Sequence, residues 1–201
     1  GSGRYQLSNG RGACFAEAQS LANSEFLVIA ELDAGQREAR IFAAAPLTSD
    51  ELDRHFGEAI QDVLRVYWDE REQAVLTRRQ RHLGELILSD AAARNPDPAQ
   101  LALAMLEGVR SMGLDALPWT AVLRQWQARV LFSRTAQPDA TPAWPDVGDA
   151  ALLATLDTWL LPWLEGIARR THLARLDLRT ALHGLLNWQQ QQQLDAFAPT
   201  H

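Results

Sequence analysis

Apolar positions recur along this chain with two periods, and the change falls near residue 95. Before it, short apolar runs are separated by turn signals. Residues 25–32, with Phe26, Leu27, Val28 and Ile29, form a β-branched run that predicts a strand buried on both faces. Residues 33–37 read as a turn, and 39–45 return as the second strand of a hairpin. Thr48-Ser49-Asp50-Glu51-Leu52 offers a capped helix start, with the helix ending near Gly57. Residues 63–68 alternate toward a third strand. Residues 69–72 make a charged turn and 74–83 a long fourth strand, which Gly84 breaks or bulges before Leu86. At the start, 5–7 and 13–15 flank Ser8-Asn9-Gly10-Arg11-Gly12 and add a strand or two. Several short antiparallel strands with one inserted helix outline a small OB-type barrel, and a small sandwich gives nearly the same pattern.

Asn95-Pro96-Asp97-Pro98 marks the boundary, because two prolines so close stop a regular element. Beyond it the period is helical. Leu101, Met105, Gly108 and Met112 share one face, and Trp119, Leu123, Trp126 and Val130 share the next. Residues 133–144 read as a proline-containing loop. Leu152, Leu156, Trp159 and Trp163 form a third stripe that Pro162 kinks or ends. A last helical stretch starts near Leu176 and runs toward Phe197. The expected organisation is a β module over 4–92 and an antiparallel helical domain of four or five helices over 97–201.

Composition narrows the functional classes. All 19 basic residues are arginine, so a P-loop lysine, a Schiff-base lysine and a lysine general base are excluded. The net charge is −6. Through Asp90 there are 10 arginines and 15 acids, net −5; beyond it 9 and 10, net −1. Neither half is basic, which argues against tight non-specific duplex binding. Cys14 is the single cysteine, so an internal disulfide and a cysteine zinc site are excluded, and it is expected to be a small buried residue. There is no apolar run long enough for a membrane span and no signal peptide, so the expected location is cytoplasmic. Gly1-Ser2-Gly3 reads as an expression scar.

Arg78-Arg79-Gln80-Arg81-His82 is a basic strand in an acidic chain, which points to a specific contact. Strand alternation puts Arg79 and Arg81 on one face and Arg78 on the other. Residues two apart in a strand are about 7 Å apart, the spacing of successive phosphates in a single strand. The competing readings are a solvated edge, or ion pairs with Asp69, Glu70 or Glu72 across the hairpin. Arg11, in a glycine-rich loop, could cradle a phosphate, although Asn-Gly is first a hairpin-turn signal. Tyr67 or Trp68 could stack on a base while the other enters the core. The other six tryptophans fall on helical stripes and are expected in the core. The five glutamines at 189–193 read as one exposed helix surface. The scattered histidines predict no metal site. Ser133, Asp139 and Asp146 are loop residues that nothing arranges for catalysis.

An ordered set of segments carries a family resemblance. It begins with Arg4-Tyr5-Gln6-Leu7-Ser8-Asn9-Gly10-Arg11-Gly12-Ala13, Ala30-Glu31-Leu32-Asp33 and Ala39-Arg40-Ile41-Phe42-Ala43-Ala44-Ala45-Pro46-Leu47. It continues through Trp68-Asp69, Arg78-Arg79-Gln80-Arg81-His82-Leu83-Gly84, Leu117-Pro118-Trp119, Trp144-Pro145-Asp146 and Ala198-Pro199-Thr200-His201. Together these resemble the C-terminal part of bacterial HrpB-type ATP-dependent helicases, relatives of the DEAH-box RNA helicases.

The resemblance implies an α+β fold: a small antiparallel OB-like β-barrel with an inserted helix, followed by an all-α helical domain. It implies a fragment, with two RecA-like motor domains before it holding ATP and magnesium, and a chain that continues past His201. No GKT-type loop or DEAH-type box is present, so no catalytic site and no cofactor are expected in this region. The expected function is that of an accessory helicase region. It would contact single-stranded RNA or DNA through Arg79, Arg81, Arg78, Arg11 and Tyr67 and pack on the motor domains. The alternative is a protein-docking module of the same helicase without nucleic-acid contact.

Overall fold

A computed structural model describes residues 3–17, 19–33 and 38–196. Seven strands come in two sheets. The first has the order β1-β2-β4-β3, built from β1 (Arg4–Gln6), β2 (Gly12–Phe15), β3 (Phe26–Leu32) and β4 (Glu38–Leu47). The second is a meander of β5 (Ile60–Asp69), β6 (Ala74–Leu83) and β7 (Leu86–Ala92). The α+β class stands as expected, but the antiparallel closed barrel does not. β2 and β4 pair in parallel, Ala13 opposite Ala39, and the described residues form two separate sheets. The period-two pattern predicts strands without specifying their direction, so nothing local could reveal the parallel pair.

The chain divides into two compact units. One comprises residues 1–65 and 78–93, the other 66–77 and 94–201. The sequence boundary placed all of 66–77 with the strands; the structure places that hairpin end with the helices.

In the first unit the core is small, with Ala13, Ala39 and Ile41 buried and Tyr5, Phe15 and Ile29 packed around them. Cys14 is half-buried. β3 is an edge strand and alternates half-buried with exposed positions; Val28 is 42% accessible. The apolar run over 25–32 therefore has one solvated face where two buried ones were expected. Helix α1 (Ser49–Phe56) starts on a capping box. Thr48 Oγ1 accepts from Glu51 N, and the Glu51 carboxylate accepts from Thr48 N at 2.9 Å. Those bonds hold the Glu51 carboxyl below its ordinary value. Gly84 is not a bulge within one strand. It opens the two-residue turn between β6 and β7, with φ 58°, and the register shift lies at Arg81/His82. The next residue of that turn, Glu85, donates its backbone N–H to Ser8 O at 2.8 Å.

The second unit has an extended core. Met105, Val109, Val130, Leu152, Leu156, Leu160, Leu173 and Leu182 are among its buried members. Pro98 does not stop a helix but opens one. Helix α2 (Pro98–Met112) has Asp97 as its cap and proline in its first turn, where a missing N–H leaves no bond unmade. Helix α3 (Ala121–Ala136) runs further than its apolar stripe, so Ser133 is a buried helical residue and the loop begins later. Helices α4 (Asp149–Ala154) and α5 (Leu156–Trp159) precede a single turn at Leu161–Trp163 that contains Pro162. Helices α6 (Leu178–His183) and α7 (Trp188–Ala196) close the described chain. Phe197 and the 198–201 motif lie outside the described residues.

The glutamine run is not one exposed surface. Gln190 is buried and forms a reciprocal cap with Asn187, while its Nε2 donates to Ala143 O at 3.0 Å. Gln191 donates to His183 O and Leu186 O. Polarity marked these residues as solvated, but their amides satisfy backbone carbonyls that would otherwise be buried without partners. The tryptophans divide. Trp126, Trp144 and Trp159 are buried, whereas Trp188 is 72% accessible.

Trp68 packs against the helical core, facing Gly108 of α2. A Cβ on Gly108 would lie 2.5 Å from Trp68 Cδ2. The bridge Ala74–Arg169, Val75 N to Ala168 O at 2.8 Å and Arg170 N to Gln73 O at 3.0 Å fasten the other strand of the hairpin end.

His183 stacks on Trp126 with centroids 5.1 Å apart. Burial first, then the Arg179 charge, hold its imidazole below the ordinary 6.5, against smaller opposing effects of Asp195 and Asp177.

Three outcomes are expected. Gly84→Ala places a Cβ 2.3 Å from Ser8 O at a positive φ. It is expected to lower stability by about 2–3 kcal/mol in urea unfolding. Gly108→Ala is expected to cost about 1–3 kcal/mol despite alanine's better helix propensity, because overpacking against the indole outweighs ~1 kcal/mol of propensity. Adding Trp68→Leu should make the alanine less damaging in a double-mutant cycle. His183 is kept neutral by folding, so its contribution is full above 6.5 and is lost as pH falls through its lower folded value. The urea midpoint should therefore begin to decline below about pH 6.5, and His183→Gln should remove that part of the decline.

Candidate nucleic-acid interface

The basic strand β6 lies in the middle of its sheet, and its three arginines differ in what they meet. Arg78 Nε donates to Asp90 Oδ1 on β7 at 2.9 Å. Arg81 Nη2 donates to Asp53 Oδ1 on α1 at 2.6 Å. Arg79 is exposed, opposite Ala91 in the register, and among the described residues it forms no ion pair or side-chain hydrogen bond. Of the competing readings, ion pairing holds for Arg78 and Arg81, with Asp90 and Asp53 as partners. Those carboxylates come from α1 and from the strand beyond the Gly84 turn, so adjacency across the β5–β6 turn could not indicate them.

One member of each pair is shifted. The Arg78 hydrogen bond, then that of Gln80, holds the Asp90 carboxyl below its ordinary value, with the Arg78 and Arg65 charges adding to it. The Asp53 hydrogen bond, then its charge, raises the Arg81 guanidinium. All four side chains are at least one-third exposed, so these pairs are screened and weak. Between Arg78 and Arg81, Gln80 is buried and meets His82 Nε2 at 3.0 Å.

The glycine-rich loop forms a hairpin turn between β1 and β2. Leu7 N donates to Arg11 O at 2.8 Å, Gly10 N to Leu7 O at 2.9 Å and Arg11 N to Asn9 Oδ1 at 3.1 Å. These amides are therefore occupied within the loop, and a phosphate contact there rests on the Arg11 side chain. Tyr67 is half-buried and belongs to the second unit, beside the core residue Trp68. Arg79, Arg81, Arg78 and Arg11 all lie in the first unit. That unit also has a groove of about 900 Å³ with a mixed lining, apolar at Phe26, Val28, Phe56 and Ile87 and polar at Arg4 and Glu25.

A second group of arginines is brought together only by folding. Arg71, Arg169 and Arg170 line a cleft of about 290 Å³ in the second unit. Arg71 lies in what reads locally as a charged turn, and its neighbours in space are distant in sequence, so no local signal could find the group. Asp146 is bonded by Gly148 N and Arg134, which hold its carboxyl low, and Ser133 is enclosed in α3. Among the described residues no group of three His, Cys, Asp or Glu side chains is placed to hold a metal. No described helix is long and apolar enough to cross a membrane.

This α+β region is similar to the C-terminal region of helicases. The model of the family described as ATP-dependent helicase C-terminal, HrpB_C, matches residues 159–201. The chain is 37% identical over 201 residues to the ATP-dependent RNA helicase HrpB of Escherichia coli (strain K12), covering 99% of this chain and 25% of that protein. Two crystal structures of E. coli HrpB, one described as a DExH-box NTPase and one as a DEAH/RHA helicase, each match with a TM-score of 0.50. Their identities are 36% and 33%, over 96% of this chain and 24% of each of theirs. The chain thus spans about a quarter of the length of these relatives. The chain corresponds to a C-terminal region of an HrpB-type helicase.

Proposed function

We propose that this region is an accessory module of an ATP-dependent helicase that holds single-stranded nucleic acid by its phosphates. The observation that carries the reading is the exposed guanidinium of Arg79 on a central strand, without an ion pair or side-chain hydrogen bond among the described residues. A rigid strand presents the charge at little entropic cost, and arginine's fork suits phosphate oxygens. Arg81 serves beside it as a reserve, since its exposed pair with Asp53 is weak enough for a phosphate to displace, and Arg78 offers a second contact on the other face of the strand. Arg11 adds a further guanidinium in the first unit, and Tyr67 in the second unit offers a ring for stacking. An OB-like role for the strand module, a cytoplasmic setting and ATP and magnesium bound in motor domains elsewhere in the full protein belong to this same reading. No residue of this chain is assigned to nucleotide chemistry.

A docking role has its own support in the exposed apolar side chains Ile87 and Phe56 that line the groove of the first unit. That surface suits the motor domains of the same helicase as its partner. The two roles are compatible, because Arg11, Arg78, Arg79 and Arg81 are not part of the groove's lining.

Arg79→Ala is expected to weaken single-stranded RNA binding about tenfold at low salt, equivalent to ~1.4 kcal/mol. Arg81→Ala should weaken it less, because Arg81 must first leave Asp53. Asp53→Asn should strengthen binding by releasing that arginine. Fluorescence anisotropy across a salt series measures all three; equal, salt-insensitive binding by every variant would leave the docking role alone.

A further inference from the structure

We propose that the cleft lined by Arg71, Arg169 and Arg170 in the second unit is a phosphate site that takes the backbone of a nucleic acid. Two segments build it. The turn after β5 supplies Arg71 and Gln73, and residues 169–171 supply the other two arginines and Thr171. The segments are fastened through backbone: the bridge Ala74–Arg169, Val75 N to Ala168 O and Arg170 N to Gln73 O. The Arg170 guanidinium is aimed by a neutral partner, its Nη1 donating to Gln73 Oε1 at 3.1 Å. That bond orients the side chain and leaves its charge unneutralised.

Two carboxylates, Glu70 and Glu72, share the lining. Glu70 Oε1 accepts from Ser111 Oγ at 2.9 Å. Among the described residues, none of the three arginines forms an ion pair with either of them. Three guanidiniums against two carboxylates leave the lining with a formal excess of one positive charge. In a unit with 10 arginines and 13 acids, three arginines that form no ion pair among the described residues and surround one polar cleft suit a ligand that brings its own negative charge. A phosphodiester fits: it presents two charged oxygens to arginine forks, and the Thr171 hydroxyl can donate to a third position. The source could equally be a free polyphosphate, which has the same chemistry.

The nucleic-acid assignment rests on the role proposed above, while the phosphate site does not depend on Arg79. The test uses the full chain and a short labelled single-stranded RNA, with anisotropy read across a salt series. Arg71→Gln/Arg169→Gln leaves the Arg170–Gln73 bond intact. Thr171→Glu removes no arginine and adds a negative charge to the rim. Arg79→Gln serves as the comparison, and calorimetry with pyrophosphate tests the free ligand.

Both cleft variants should bind RNA about tenfold more weakly at low salt. The double variant should also lower the salt slope by about 1.4, for two phosphate contacts at ~0.7 each. Unchanged affinity and slope in both, with Arg79→Gln weakened, would overturn the cleft and leave the strand site standing. The reverse pattern would support the cleft and remove Arg79. Pyrophosphate binding that the cleft variants abolish, with RNA binding unaltered, would overturn the backbone assignment. Failure of the unaltered chain to bind RNA at low salt would overturn both sites.

Discussion

The second unit depends on the indole of Trp68 lying over Gly108. Only a residue without a Cβ lets the ring reach the backbone of α2, since a methyl there would sit 2.5 Å from the ring. That contact and the backbone bonds around Ala74 draw the end of a β-hairpin into an otherwise helical core. Once the hairpin end is held there, Arg71 is carried to the segment with Arg169 and Arg170, and Ser111 meets Glu70. A packing constraint at one glycine therefore decides the composition of a charged cleft built from separate parts of the chain.

The arginines follow a second constraint. A guanidinium beside a carboxylate takes it as a partner, and that partner competes with any ligand. Asp53 and Asp90 hold Arg81 and Arg78 in this way, and Arg124 is taken up by Asp115 and Asp149 while it lies over Trp119. Arg79, Arg71 and Arg169 have no such partner among the described residues. Density of charge in the sequence is thus a poor guide to which positive charge can meet a phosphate. The pairing in space decides it, and it favours one arginine of the basic strand over its two neighbours.

Much of the local structure was legible in the residues. Thr48 and Glu51 announce α1, the Asn-Gly loop is a hairpin turn, and the stripe through Met105 and Val109 is buried as its period requires. Local rules failed where a long-range partner reversed a local preference. Polarity read the 189–193 run as solvated, yet Gln190 is buried because carbonyls of a distant loop accept its amide protons. The prolines near residue 97 read as a stop, yet Pro98 begins α2 because Asp97 caps it.

The sequence by itself determined the succession of strands and helices, the class α+β, the absence of lysine chemistry and the family. All of these follow from residue type and spacing along the chain. The tertiary structure alone decided that β2 and β4 run parallel, that residues 66–77 join the helices, and which arginines keep their charge unpaired. Periodicity reports which face of an element is buried, not what the face is buried against. Strand direction, unit membership and ion pairing all depend on partners far away in sequence, and only the folded chain brings them within reach.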